Sequence, residues 1–287
     1  MTIAATVTLP VGLWINGECH RKAELQPLTG TDEAFHAEQG RTLMPAQRTT
    51  AQLTSSLARL GSIDKITQQV VRSLAIGDRE ALLLHLRRLT LGDRLQCLVE
   101  CPSCQERMDI ELKVSDLLLP PYSHSKESYE RTIVGDDVAY RVIFRLPTGA
   151  DQEEAASLAA TDPDTGAAFI LHRCVKSVTR ESDNPIENLP ATVATQLPPI
   201  MAELDPQAEI TLNLSCPVCG FKLPIVFDTA NYLFQELVEQ SRHLYREVHL
   251  LAFNYHWSEA EIMRMTSKKR RLYLELLDEA LKDAASL

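Results

Sequence analysis

The sequence lacks the marks of several large classes of protein. No stretch approaches the roughly 18 uninterrupted apolar residues that read as a membrane-spanning helix. Its longest apolar runs, such as Ala81 to Leu84 and Leu117 to Leu119, are short. No basic residue precedes Arg21, so the positively charged start of a signal peptide is missing and synthesis in the cytoplasm is expected. Positive charge is scarce: 29 Lys and Arg stand against 39 Asp and Glu, a formal net charge of -10. That balance argues against general nucleic-acid binding, although a local basic patch stays open. Catalytic signatures are absent as well, with no G-x-S-x-G elbow, P-loop, G-x-G-x-x-G or H-E-x-x-H. No carboxylate pair stands out for acid–base work. The expectation is a protein that is not an enzyme, with an unrecognised active site as a minor alternative.

What is present begins with cysteine. Seven cysteines in 287 residues are too sparse for a secreted disulfide scaffold. Four of them form two Cys-Pro-x-Cys turns, Cys101/Cys104 and Cys216/Cys219. Around the first, Leu95, Cys97 and Val99 alternate with polar residues, and Met108, Ile110 and Leu112 do so after it. Around the second, Ile210, Leu212 and Leu214 alternate before and Leu223, Ile225 and Phe227 after. Period-two patterning on both sides of a tight turn predicts strand, knuckle, strand, twice.

A C-x-x-C turn offers two thiolates from one loop, and two such turns complete the tetrahedral four-sulfur shell of structural Zn2+. A closed shell leaves no open position for water, so the site predicted at Cys101, Cys104, Cys216 and Cys219 is structural. The departure from an ordinary ribbon is the spacing: 111 residues separate the two turns. The competing readings are a degenerate site that has lost its metal and two separate pairs of redox or unpaired thiols. Neither turn lies near the βαβ pattern that a thioredoxin-like dithiol requires. Cys97 and Cys174 read as small core residues, and Cys19 has no assigned role. His243, His249 and His256 read as solvated or capping residues. The basic run Lys268, Lys269, Arg270 and Arg271 reads as a solvated face, with a partner contact as the minority reading.

The remaining organisation follows from periodicity. Val7, Leu9, Val11, Leu13 and Ile15 alternate up to Asn16-Gly17, a type I′ hairpin signal. Residues 28–50 read as a polar loop or linker. Helices are expected over much of 51–90, the clearest capped by Asp78 and ended by Gly92-Asp93. Between the knuckles come a hairpin, 131–134 and 138–146, turning at 135–137, and helices near 151–160, 164–178 and 189–204. From Thr229 an amphipathic helix reaches Tyr255. Ser258 with Glu261 forms a capping box. Ser267 opens a last helix with Tyr273, Leu276, Leu277, Ala280 and Leu281 inward.

LRRLTLGDRLQCLVECPSCQERMDIEL (86–112), LNLSCPVCGFKLPIVFD (212–228) and REVHLLAFNYHWSEAEIMRMTSKKRRLYLELL (246–277) together resemble a baseplate protein family. That family occurs in contractile-tailed phages of the T-even type and in related bacterial contractile injection systems. The N-terminal 60 residues and the insertion add nothing to the likeness. It implies a hub or inner-baseplate component or assembly chaperone, with baseplate or hub proteins as partners and incorporation into a particle. The four knuckle cysteines carry over, and no catalytic residue does. A zinc-ribbon factor associated with nucleic acid is the alternative.

The expected fold is α+β: a zinc ribbon built from two sequence-distant β-hairpins, flanked by helices. Its parts are an N-terminal hairpin arm and linker (1–60), a helix with a split ribbon core (61–114 plus 209–228), an inserted α/β lobe (115–208) and C-terminal helices (229–287). The N-terminal hairpin is a candidate docking arm, because an exposed strand edge can extend a partner's sheet.

Overall fold

Strand β1 (Ala5–Ile15) turns at Asn16-Gly17 into β2 (Glu18–Leu25), and both turn residues take the positive φ that a type I′ hairpin needs. The structure is a computed structural model that describes residues 5–135, 138–180, 186 and 189–285. The next segment corrects the loop expected at 28–50. It holds α1 (Gly30–Glu38), with a Thr29/Asp32 capping box, and α2 (Pro45–Ser56), with Pro45 in its first turn. Both helices bury polar side chains, Glu33 and His36 on α1 and Thr49, Thr50 and Gln52 on α2. The apolar stripe is correspondingly thin, Ala34 on α1 and Leu53 on α2, and a hydrophobicity pattern marks such helices poorly.

β3 (Leu57–Leu60) adds to β2 and completes an antiparallel sheet in the order β1-β2-β3. Short α3 (Gln68–Arg72) leads to α4 (Ile76–Leu91), which ends at Gly92 with φ +95°. The core unites this sheet with helices from distant parts of the chain. Leu9, Leu25, Leu53, Leu82 and Leu86 meet Leu237 there.

Asp78 is not the cap of α4. The helix starts two residues earlier, after Ala75, and Asp78 is fully buried. Its carboxylate accepts the backbone N–H groups of Val11 and Gly12, each at 2.8 Å. The β1–β2 register breaks between Thr8 and Leu13, so the ladder leaves those two N–H groups unpaired. Arg21 serves the carbonyls of the same stretch, donating to Pro10 and Val11. A helix thus supplies the acceptors that a β-bulge gives up.

The first knuckle lies between β4 (Arg94–Glu100) and β5 (Arg107–Lys113), followed by the single turn α5 (Val114–Leu117). The lobe holds β6 (Tyr129–Gly135), β7 (Val138–Phe144), α6 (Gly149–Thr161), α7 (Pro163–Cys174), β8 (Val175–Arg180) and α8 (Ala191–Leu204). The expected hairpin is present as β6–β7; residues 136 and 137 of its turn, and Pro185, lie outside the described residues. The helix expected over 164–178 stops at Cys174. Val175, Val178 and Thr179 are β-branched, and β8 pairs with β7. Tyr129, Val142, Phe144, Val193 and Leu197 form the lobe's core, and Val11 and Ala75 reach into it. Asp205 pins lobe to body: it accepts from Gly77 N at 2.9 Å and Tyr122 Oη at 3.2 Å.

β9 (Thr211–Ser215) and β10 (Lys222–Val226) carry the second knuckle. The tail begins with α9 (Thr229–Ser241) and α10 (Leu244–Tyr255), two helices where one was expected. Arg242 and His243 donate back only three residues, to Glu239 and Gln240, and this tight turn separates them. α11 (Glu259–Met263) opens with the predicted Ser258/Glu261 capping box, and α12 (Ser267–Ala285) follows. The basic run is not a uniformly solvated face. Arg270 is buried and bridges Glu33 and Glu247, while Lys268, Lys269 and Arg271 are exposed. Leu276, Ala280 and Leu281 do not face inward but lie exposed, since no element among the described residues covers that part of α12. The architecture is α+β, with small antiparallel sheets among helices. No helix among the described residues is long and apolar enough to cross a membrane.

Candidate metal centre

Each knuckle is built by its own hairpin. β4 and β5 pair in unbroken register from Arg94↔Lys113 to Glu100↔Arg107, which delivers Cys101 to the turn. There Cys101 N donates to Glu106 O at 2.8 Å and Gln105 N donates to Cys101 O at 2.8 Å. The second turn repeats this, with Cys216 N to Phe221 O and Gly220 N to Cys216 O, both 2.9 Å. The residue after the second cysteine is left-handed in each, Gln105 at φ +61° and Gly220 at φ +72°. Only the second copy has the residue that adopts this conformation without steric cost. Gln105 thus shapes the first turn, and Gly220 at the equivalent place in the second turn is the mark of it in the sequence.

The two hairpins are separate two-stranded sheets, with no ladder joining them. Their tips nevertheless meet. Cys101 Sγ lies 3.7 Å from Cys219 Sγ, and Cys104 Sγ lies 3.6 Å from Cys216 Sγ. All four sulfurs fall within 4.8 Å of one another. A tetrahedron with metal–sulfur bonds of about 2.3 Å has sulfur–sulfur edges of about 3.8 Å. The donor set and its spacing therefore fit a single metal ion of zinc's size. Cys101 and Cys216 are buried and Cys104 and Cys219 exposed, with Met108, Val99, Ile110 and Leu223 packed against the buried pair.

The electrostatics of the cluster favour a cation. Backbone N–H groups of Cys219 and Val218 aim at Cys216 and hold its thiol down at about 7. At Cys104 the N–H of Glu106 acts in the same direction. Desolvation and the three neighbouring thiols outweigh it and push Cys104 up to about 12. Four thiols this close raise the cost of ionising one another, and a bound cation would offset it.

The remaining candidates stand apart from this centre. Cys97 is half-buried on β4, and the nearby Tyr232 Oη donates to Gln96 O at 2.8 Å, tying α9 to the ribbon. Cys174 is fully buried at the end of α7, and Cys19 Sγ donates to Val11 O at 3.7 Å. His243 and His256 sit at the two ends of α10, and His249 stacks on Phe253. Among the described residues the four knuckle cysteines are the group placed to hold a metal.

The family model described as T4 bacteriophage base plate protein matches residues 34–235. The chain belongs to that family. The match differs in extent from the resemblance read in the sequence. It takes in both knuckles, the whole insertion and the segment from residue 34, and it ends before 246–277. Family membership supports a structural role in a phage baseplate. Comparison with curated proteins and with solved structures gives no match.

Proposed function

We propose that this chain is a non-enzymatic structural or assembly component of a contractile-tail or injection-system baseplate, braced by one structural zinc ion on Cys101, Cys104, Cys216 and Cys219. The observation that carries the zinc reading is the convergence of four sulfurs within 4.8 Å from turns 111 residues apart. Membership of the base plate family carries the assembly reading.

The zinc has a defined mechanical task in this reading. Both hairpins bury little: every residue of β9 and β10 is exposed or only partly buried. Hairpins of two strands are marginal on their own in water. A tetrathiolate shell fixes the two tips together and closes 115–208 into a lobe with both ends anchored. Zinc here acts by joining segments and supplies no reactive water, because four sulfurs fill its coordination shell. The partners in this reading are other baseplate or hub proteins, which the protein joins after cytoplasmic synthesis.

Native mass spectrometry of the tagged protein, purified gently from its own source, tests both halves. The expected spectrum shows one zinc per chain and co-purifying baseplate proteins. Zinc without such partners removes the assembly reading, and a metal-free chain with all thiols alkylatable removes the site.

A further inference from the structure

α12 is apolar along two lines about a third of a turn apart. One line packs inward: Arg270 is buried, and Tyr273 and Leu274 pack against the core formed by α10 and α11. The other line is uncovered. Leu272 is 53% exposed and Leu276 47%, and Ala280, one further turn along, is exposed as well. Residues four apart on a helix lie on one side, so these three form a continuous small stripe.

The helix is also polarised in charge. Its first turns carry Lys268, Lys269 and Arg271 at the surface, while residues 275–283 hold Glu275, Asp278, Glu279 and Asp283 against the single Lys282. This order opposes the macrodipole, which favours acidic groups at the start and basic groups at the end. A helix so arranged complements its own copy when the two run antiparallel. A two-fold axis through Leu276 sets Leu276 against Leu276, Leu272 against Ala280, and Lys269 against Asp283. Positions 269, 276 and 283 are heptad-spaced and share one side of the helix. The apolar contact sits at the centre and the opposite charges flank it, as a self-complementary two-fold interface demands.

We propose that the Leu272–Leu276–Ala280 face of α12 is a homodimerisation surface that takes the same helix of a second copy in antiparallel register. The helix has 19 residues, a length of about 28 Å at 1.5 Å per residue. The shared face is at the small end of specific interfaces, so the dimer is reversible. It is weakened by salt, because its flanking charges are exposed. This surface is independent of the metal centre, so its failure leaves the zinc reading untouched.

Sedimentation velocity of the full chain over a concentration series tests it. The expected result is a monomer–dimer equilibrium that shifts to monomer as salt rises. Leu276→Glu places two like charges on the axis and weakens association roughly tenfold or more. At concentrations where the parent is monomeric, the variant's melting temperature stays close to the parent value, because the side chain is about half exposed. Lys269→Asp weakens the dimer, and Lys269→Asp combined with Asp283→Lys restores it. Leu276→Cys gives a disulfide-linked dimer on mild oxidation, with the 276–276 link identified by peptide mass spectrometry. A chain that stays monomeric through the micromolar range overturns the proposal. So does a dimer indifferent to Leu276→Glu, which would form through another surface.

Discussion

Arg270 Nη2 donates to Glu33 Oε2 at 2.6 Å across 237 residues of sequence, with each side chain 1% exposed. Arg270 also donates to Glu247 at 2.8 Å and to the Met265 carbonyl at 2.9 Å. One guanidinium thereby fastens α12 to both α1 and α10. A buried pair of this kind is costly to break from one side, because the partner is left as an uncompensated charge. Arg270→Ala should destabilise the chain by about 3–5 kcal/mol, read as a lower urea midpoint. Arg270→Lys should recover only part of the loss, since an ammonium cannot reproduce the planar fork. A parent-like midpoint for Arg270→Ala would refute the bridge.

Removal of the proposed metal is the second test. Binding to the native state alone adds RT ln(1 + [L]/Kd), about 4 kcal/mol at a thousandfold excess over Kd. Cys216→Ser with Cys219→Ser should therefore abolish zinc binding and cut stability by an amount of that order. Chelator should lower the melting temperature of the parent protein and leave the double variant unmoved. Equal melting of parent and variant, with and without chelator, would sink the metal reading.

Buried carboxyls give the stability an unusual pH dependence. Burial raises Asp78 to about 7 against the opposing N–H of Val11. It raises Asp205 to about 6 against the N–H of Gly77, and Glu80 to about 7. A carboxyl with a raised folded pKa contributes its stability fully below the unfolded value and loses it as pH rises through the folded one. The contribution of these three carboxyls to the unfolding free energy should thus increase as pH falls from about 7 towards about 5, while desolvation of His36 and His85, each lowered to about 4, opposes it below the ordinary histidine range. Asp78→Asn should flatten that slope. It should also cost about 1–3 kcal/mol, because the amide accepts one of the two β1 N–H groups and turns a donor on the other. Urea titrations at several pH values check both statements, and an identical slope in the variant would exclude Asp78 as a contributor.

What could be read in advance follows the range of the interactions. The knuckles, the Asn16-Gly17 turn and the Ser258/Glu261 box are set by neighbours in sequence, and each stands where the pattern placed it. α1 and α2 escaped because Glu33, His36 and Gln52 fill their inner faces, so burial and hydrophobicity part company there. Asp78 looked like a cap because its true partners, Val11 and Gly12, lie in a β-bulge 67 and 66 residues away. The convergence of the two knuckles was legible from their matching chemistry. The left-handed backbone of Gln105 is not announced by its own residue type, because glutamine rarely adopts it and only the second turn has glycine at that place. Gln105→Gly should accordingly raise the melting temperature slightly. The relief of about 1–2 kcal/mol in the left-handed region exceeds the roughly 0.5–1 kcal/mol of added chain entropy.

Gly77 is a point of close approach between α4 and the lobe. A Cβ built there would stand 1.9 Å from Asp205 Oδ1, the carboxylate that accepts the Gly77 N–H. Asp205 is itself held by Tyr122, whose hydroxyl accepts from Gln207 N at 2.9 Å, so it has little freedom to retreat. Gly77→Ala should therefore cost about 1–3 kcal/mol or more through overpacking, although alanine is the better helix former by up to about 1 kcal/mol. The effect should be local to the junction. Hydrogen exchange should quicken at the Gly77 and Gln207 amides before the β1–β2–β3 sheet responds. Gly92→Ala is the control, since nothing lies within 4 Å of a Cβ at that position. Its cost should be only the backbone penalty of a conformation almost exclusive to glycine, φ +95° with ψ -176°, about 1–3 kcal/mol, with exchange at Gln207 unchanged. A neutral Gly77→Ala would mean that the lobe can move away from α4 without loss, and that Asp205 does not pin it.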